Sequence, residues 1–141
     1  LLKKDEWENR FVDDFFLTGD YGKLSHDGML YISDRKENLI ISGGENIRPS
    51  EVESAILNID GIEDAYVCGL KDNKWGEIVS ALLVSNKKWR SEDLKLKFKE
   101  ILSSYKIPKR VAFVKEIPRN EMGKIIKSEA IKIIMNSGIS L

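Results

Sequence analysis

The chain has 141 residues, of which 42% are hydrophobic and 33% are charged, a balance typical of a folded domain and not of a disordered tail. Its 23 Lys and Arg residues match its 23 Asp and Glu residues, so it has no net positive charge to attract nucleic acid or anionic lipid. One cysteine and one histidine exclude an intramolecular disulfide and a Cys/His metal cluster. We therefore expect no nucleic-acid partner, no metal site and no membrane span, and a reduced, cytoplasmic setting.

The amino-terminal part predicts a β-hairpin attached to something larger. Residues 1–19 carry four aromatic side chains, too many for a solvated linker but too few residues for a core of their own. A turn at 26–28 lies between strand-like segments at 22–24 and 29–32, as in a hairpin. Because the chain also begins without Met, we expect it to be a piece of a longer polypeptide.

The glycine-rich segment from Ser42 to Asn46 is the most unusual stretch. It follows an apolar strand predicted at 39–41, and Gly43 and Gly44 permit positive φ or a close approach of the backbone to a ligand. The segment lacks the GxxxxGK[ST] pattern of a nucleotide P-loop. A tight strand-to-helix turn and a ligand-binding loop explain it equally well.

Next along the chain, the pattern predicts one helix and two strands. Apolar residues at helical spacing after Pro49 indicate a helix that is capped by Ser50 and ended by Gly61. Two β-rich segments, 62–70 and 76–85, predict a pair of antiparallel strands.

The last third of the chain predicts a second helix, a third strand at 111–114 and a final helix. Ser91 is expected to cap the second helix, whose apolar face would be Leu94, Phe98, Ile101, Leu102 and Tyr105. The final helix would bury Ile131, Ile134 and Met135. From residue 39 the order β, α, β, β, α, β, loop, α predicts an α+β domain, a small sheet with packed helices.

Several polar residues could carry chemistry, and each also has an ordinary structural explanation. Asp20, in the sequence Thr-Gly-Asp, could accept two hydrogen bonds from a ribose diol, or cap a turn. Arg35 offers planar donors that match a phosphate, or belongs to a solvated charge run. Lys124 follows a glycine on a polar loop and could reach a developing anion, although most surface lysines do nothing comparable.

Three further residues are expected to be structural. Cys68 lies among apolar strand residues, which indicates a buried and inert thiol. Trp75 and Trp89 flank strand ends without an accompanying basic stripe, so they are expected to be packing or rim residues rather than a base-stacking platform.

Six separated motifs occur in one order along nearly the whole chain. They are Thr18-Gly19-Asp20, Asp27-Gly28-Met29-Leu30-Tyr31, Asp34-Arg35-Lys36-Glu37-Asn38-Leu39-Ile40, Gly43-Gly44-Glu45-Asn46-Ile47, Pro49-Ser50-Glu51-Val52-Glu53 and Gly123-Lys124. Together they resemble the carboxy-terminal domain of the adenylate-forming acyl-CoA synthetase superfamily, of the type that acts on fatty, aryl or succinylbenzoate acids.

The resemblance implies an ATP-dependent acyl-CoA ligase, which forms an acyl-adenylate with release of pyrophosphate and then transfers the acyl group to CoA. Its large amino-terminal domain would bind ATP, Mg²⁺ and the carboxylic acid, and would be the partner of this chain within one polypeptide. Residues 1–36 would be the tail of that domain and the hinge region, and residues 37–141 a mobile lid domain. The chain lacks the phosphate loop and the acid pocket, so we expect it to be inactive alone.

The resemblance also assigns roles in the adenylation step. Asp20 would bind the ribose hydroxyls of ATP, and Arg35 would lie near the ribose and phosphate. Lys124 would reach the reacting carboxylate and the α-phosphate, which makes it the expected catalytic residue.

Other roles implied by the resemblance concern the hinge and the CoA side. Lys36 and Glu37 match the hinge, although the family usually has Asp or Lys where this chain has Glu37. The loop with Gly43, Gly44 and Glu45 would enter the active site for thioester formation, with Gly44 lining the pantetheine tunnel.

Two alternatives stay open at the level of the sequence. One is an adenylation domain that loads a carrier protein through the same tunnel. The other is a stand-alone interaction module with the lid fold. The presence of both Asp20 and Lys124 argues against the module, because an interaction surface needs neither.

Overall fold

The computed structural model describes residues 10–35 and 38–141, and the chain divides into two units between Glu37 and Asn38. In the first unit, β1 (Phe11–Val12) pairs with β2 (Phe15–Phe16), and β3 (Asp20–Leu24) pairs with β4 (Leu30–Arg35), both antiparallel. The β3–β4 pair confirms the predicted hairpin.

The apolar side chains of these hairpins are mostly exposed. Phe15 is 77% exposed, and Leu24 and Leu30 are more than 60% exposed. Apolar residues in such numbers need a covering surface. The expectation that they pack on a larger protein stays a prediction.

The second unit is an α+β fold, as predicted. Its elements are β5 (Ile40–Ser42), β6 (Glu45–Ile47), α1 (Pro49–Ile56), β7 (Ile62–Asp72), β8 (Gly76–Ser85), α2 (Ser91–Ile101), β9 (Arg110–Val114), α3 (Lys127–Ser137) and β10 (Ile139–Ser140), with a 3-10 turn at Ser104–Lys106. Strand β8 pairs antiparallel with β7, as predicted, and parallel with β9. At its start, Gly76 of β8 also pairs with Ser42 of β5.

Alternation along β7 and β8 divides the core into two clusters, because successive strand residues point to opposite faces of a sheet. Ala65 and Val67 belong to the cluster that contains α1 and α2, including the fully buried Phe98. Tyr66 and Cys68 belong to the cluster that contains Ala130 and Ile134 of α3. Helices α1 and α2 therefore cover one face, and α3 covers the other.

Two predicted helix caps are wrong. Helix α1 begins at Pro49 and its N-cap is Arg48, because the fixed φ of proline suits the first helical position and places Ser50 inside the helix. Helix α2 likewise begins at Ser91, after Arg90, with no side-chain cap. The end of α1 at Ile56 also precedes Gly61, the predicted stop.

Three side chains predicted to lie on buried helix faces are exposed. Ile101 is 41% and Tyr105 42% exposed, because α2 ends at Ile101 and the helical period does not continue to Tyr105. Met135 is 58% exposed, since it is rotated by about 100° from the buried Ile134. Ile131 is half-buried.

Cys68 is confirmed as a buried thiol, with 8% exposure. Burial raises its pKa to about 12, and nearby Glu53 and Glu77 act in the same direction. Within the described ranges, none of the helices has the length and apolar character that a membrane crossing requires.

Candidate functional site

The two glycines at the tip of the β5–β6 hairpin adopt the backbone conformation that the sequence predicts. Gly43 has φ 59° and Gly44 has φ 88°, while Ser42 and Glu45 pair on either side. Two successive positive φ angles are those of the tight turns that suit the twist of a hairpin. The predicted strand-to-helix turn is therefore wrong, because the turn joins two strands and α1 follows β6.

Gly43 packs against the indole of Trp75. Its N–H donates to the Trp75 carbonyl oxygen at 2.9 Å, and a Cβ built at Gly43 would lie 2.8 Å from Trp75 Cε3. Trp75 is 40% exposed, which fits the predicted rim residue. Its contact with the glycine turn was not predicted, because β8 brings it there from a distant part of the sequence.

A pocket of about 390 Å³ opens beside this turn, lined by Ser42, Gly43, Glu45, Trp75, Ser104, Tyr105 and Lys109. The Lys109 Nζ lies 3.8 Å from the centroid of the Trp75 ring, and the Lys74 Nζ lies 5.2 Å from it. The pocket thus combines a half-exposed indole with the positive charge of Lys109 and the negative charge of Glu45. Sequence reasoning missed Tyr105 and Lys109, since nothing in their local pattern links them to the glycines.

Two carboxylates fix the strands that hold the turn. Asp72 accepts the N–H groups of Lys74 and Trp75 at 2.9 Å each, and these bonds lower its pKa. Glu77 accepts the N–H of Ile41 at 2.8 Å. The backbone on both sides of the Gly43–Trp75 contact is therefore held by side chains.

Lys124 ends a closed loop between β9 and α3. The Asn120 Oδ1 accepts the N–H of Met122 at 3.1 Å and the N–H of Lys124 at 2.9 Å. The Asn120 N–H donates to the Lys124 carbonyl oxygen, and the Gly123 N–H to the Asn120 carbonyl oxygen, both at 2.8 Å. Gly123 has φ 78°, which the turn requires.

The side chain of Lys124 is exposed. Among the described residues it makes no salt bridge. The loop therefore combines a fixed backbone with an exposed cation. Asn120 is a further residue that sequence reasoning missed, although its position four residues before Lys124 is typical of a side chain that closes a turn.

In the first unit, the hairpin register places Asp20 directly opposite Arg35. The Asp20 N–H donates to Thr18 Oγ1 at 3.2 Å, and a shallow pocket of about 360 Å³ is lined by residues 16–21. The structure thus brings the two predicted nucleotide-binding residues together along the strands. The predicted hinge residues, Lys36 and Glu37, lie outside the described residues.

Comparison with known proteins gives a family match and several relatives. Residues 51–124 match the model of the AMP-binding enzyme C-terminal domain. The long-chain-fatty-acid–CoA ligase FadD13 of Mycobacterium tuberculosis is 42% identical over 135 residues, which are 91% of this chain and 27% of that protein. The chain therefore spans about a quarter of the length of such relatives.

Solved structures agree with this match. The o-succinylbenzoate-CoA synthetase of Bacillus subtilis, in complex with its acyl-adenylate intermediate, superposes with a TM-score of 0.74 at 41% identity, over 86% of this chain and 25% of that chain. The ATP-bound MatB of Rhodopseudomonas palustris gives a TM-score of 0.79 at 34% identity, over 89% of this chain and 25% of that chain. With more than half of its residues in the family match, the chain belongs to the AMP-binding enzyme C-terminal domain family.

Proposed function

We propose that this chain is the carboxy-terminal part of an AMP-forming acyl-CoA ligase that needs both ATP and CoA. One observation carries the proposal: a single small unit holds two separately braced loops, one with the exposed cation of Lys124 and one with the Gly43–Gly44 turn beside the pocket of Trp75 and Lys109. Two loops of different chemistry suit a reaction with two steps. The names of the relatives, which are CoA ligases, support the same reaction.

The proposed organisation divides the chain at the boundary between the units. Residues 1–36 are the tail of a large ATP- and acid-binding domain, residues 37–141 form a mobile domain, and Lys36 and Glu37 act as the hinge. The unit boundary at residues 37 and 38 supports this division. The large domain is the partner that completes the active site.

In the first step, the acid carboxylate attacks the α-phosphorus of ATP, a bond from oxygen to phosphorus forms, and the bond to pyrophosphate breaks. Negative charge accumulates on the carboxylate and the phosphoryl group. The Lys124 ammonium at about 4 Å would contribute roughly 4 kcal/mol at an effective dielectric near 20. Its fixed backbone removes the backbone share of the entropy cost of this contact, while the cost of ordering the lysine side chain remains.

In the second step, the CoA thiol releases its proton to solvent and its sulfur attacks the acyl carbonyl, a C–S bond forms and the C–O bond to AMP breaks. Gly44 has no side chain to obstruct a thin thiol arm, and a Cβ at that position would contact nothing within 4 Å, so the space is open. The pocket of Trp75 and Lys109 suits an aromatic and anionic ligand, because the indole offers a stacking face and the ammonium a partner for phosphate.

Nucleotide binding is proposed for Asp20 and Arg35. A carboxylate accepts two hydrogen bonds from a ribose diol, and a guanidinium donates to phosphate. Within the described part of the chain no group of three His, Cys, Asp or Glu side chains could hold a metal ion. We place Mg²⁺ with ATP in the large domain, and the protein in the cytoplasm, where ATP and CoA occur together.

The test is ATP–pyrophosphate exchange by the full-length parent protein over a panel of fatty, aryl and succinylbenzoate acids. We expect exchange with one acid class, and a loss of about a hundredfold or more in Lys124→Ala. Lys132→Ala, which removes another exposed lysine, is the matched control. Exchange that does not depend on Lys124 would reject the role of the lysine, and no exchange with any acid would reject the ligase.

A further inference from the structure

Arg119 connects the Lys124 loop to the central sheet. Its Nη2 donates to Asp64 Oδ2 at 2.9 Å, and its Nη1 donates to the Gly123 carbonyl oxygen at 3.2 Å. One guanidinium therefore bridges a residue of β7 and the residue that immediately precedes Lys124. Lysine could not reproduce this geometry, because only the planar guanidinium presents two donors side by side.

Asp64 is itself held in place. Its Oδ1 accepts the N–H of Ala65 at 2.9 Å, so both carboxylate oxygens are engaged. The pairing register of β7 with β8 shifts between Ile62 and Asp64, and such irregularities redirect side chains. Ala65 is buried in the core, so the carboxylate is bonded to the backbone of a core residue.

The base of the loop is closed by backbone contacts. The Ile126 N–H donates to the Pro118 carbonyl oxygen at 2.9 Å, and Arg119 forms an isolated antiparallel bridge with Ile125. Together with the Asn120 turn, these contacts determine the shape of the loop. The ends of the loop are placed by Ile117, which is buried, and by Ile125, which packs against the same core cluster. The side chain of Arg119 adds the contact that joins the tip of the loop to β7.

The exposure of the Arg119–Asp64 ion pair indicates that the pair orients the loop and contributes little to the stability of the fold. The Arg119 and Asp64 side chains are 42% and 37% exposed, and ion pairs at such sites contribute little to stability because water screens them. Substitutions in this half-exposed pair should therefore change the position of the loop without unfolding the protein, unlike substitutions in a buried ion pair.

We propose that Asp64 and Arg119 are positioning residues that act together as a latch for Lys124, and that they serve the adenylation step but not the thioester-forming step. This inference rests on the proposed function, because it assigns a role to the loop that adenylation needs. The glycine turn, which serves the second step in that proposal, is held by different residues, Asp72 and Glu77.

The experiment measures both half-reactions in the full-length parent protein. For Arg119→Ala and Asp64→Asn we expect kcat for ATP–pyrophosphate exchange to fall about tenfold with little change in the KM for ATP, because the lysine is misplaced while the substrate sites are intact. Thioester formation from preformed acyl-adenylate should stay within twofold of wild type. Arg119→Lys should recover only part of the loss.

Controls separate the latch from general effects. Arg90→Ala removes another surface arginine that pairs with a carboxylate, Asp93, and should change neither half-reaction. The double variant of Asp64→Asn with Arg119→Ala should lose no more than either single variant, since both break one connection.

Three outcomes would overturn the latch. They are full exchange activity in both single variants, an equal loss in both half-reactions, and failure of both variants to fold. Absence of exchange in the wild-type protein is a different result, because it rejects the proposed function itself.

Discussion

The indole of Trp75 occupies the space where any side chain at Gly43 would have to lie, with only 2.8 Å between Trp75 Cε3 and a Cβ built at Gly43. Gly44, the next residue, has a similar positive φ of 88° but nothing within 4 Å of the same built atom. The two glycines therefore differ in why they must be glycine. Gly43 is required by both conformation and packing, and Gly44 by conformation alone.

Because of this difference, alanine at Gly44 and alanine at Gly43 should have different effects on the free energy of unfolding. Gly44→Ala should lower the free energy of unfolding by only about 1–2 kcal/mol, the cost of a left-handed alanine, yet reduce thioester formation about tenfold or more if the turn lines the path of the thiol. Gly43→Ala should cost more stability, because the indole must also move. Denaturant unfolding and a thioester assay on the same variants measure both quantities.

A double variant checks the cause. Adding Trp75→Ala to Gly43→Ala removes the clash and should cost less than the sum of the two single changes. The same addition to Gly44→Ala should be additive. Equal stability of Gly43→Ala and Gly44→Ala would contradict the packing argument.

Glu77, on β8, provides a second prediction about β5, the strand that leads into the glycine turn. Its carboxylate accepts the Ile41 N–H and lies over Gly69, where a Cβ would approach within 2.9 Å. Glu77→Gln retains an acceptor and should be nearly neutral. Glu77→Ala should lower stability by about 1 kcal/mol and speed hydrogen exchange at the Ile41 amide. Equal exchange rates in the two variants would show that the carboxylate does not hold β5.

A third prediction concerns Lys109 and the affinity for CoA. Lys109→Ala should raise the KM for CoA about tenfold, which corresponds to about 1.4 kcal/mol for the loss of a contact between an ammonium and a phosphate, and leave pyrophosphate exchange unchanged. Lys74→Ala is the matched control, because its ammonium is farther from the same ring, at 5.2 Å against 3.8 Å. An equal effect of both substitutions would indicate a diffuse charge effect instead of a defined site.

The elements that could be predicted from the sequence are those whose signal is local. The β3–β4 hairpin, the antiparallel β7–β8 pair and the positive φ angles of Gly43 and Gly44 follow from alternation and turn residues within a few positions. The predicted cap of α1 was wrong because Pro49 competes with Ser50 for the start of the helix. Local propensity alone does not decide between the two residues.

The parts of the site that were missed depend on contacts across the sheet. Trp75 and Lys109 meet the glycine turn through the pairing of β5, β8 and β9, and Arg119 meets Asp64 across 55 residues of sequence. No periodicity encodes such contacts. The sequence motifs identified the two loops, whereas the residues that hold the loops in place could be identified only from the three-dimensional structure.

The buried pair Tyr66 and Cys68 predicts how stability depends on alkaline pH. Burial raises both pKa values to about 12, from 10.0 for Tyr66 and from 9.0 for Cys68. At a pH between the unfolded and the folded pKa of either group, that group is protonated in the folded protein and ionised in the unfolded chain. Stability is therefore fully present below about pH 9, where the unfolded thiol is still protonated, and is lost as the pH rises towards 12.

The variant Cys68→Ala isolates the share of the thiol in this effect. Its stability deficit relative to wild type should be constant up to about pH 9 and then shrink by up to about 1.4 kcal/mol per pH unit, because only the wild type loses the contribution of the thiol. Urea unfolding at a series of pH values from 7 to 11 measures the difference and cancels the titration of lysines common to both proteins. A deficit that stays constant up to pH 11 would mean that the folded thiol ionises as readily as the unfolded one, and that the core cluster beneath α3 does not shield it from water.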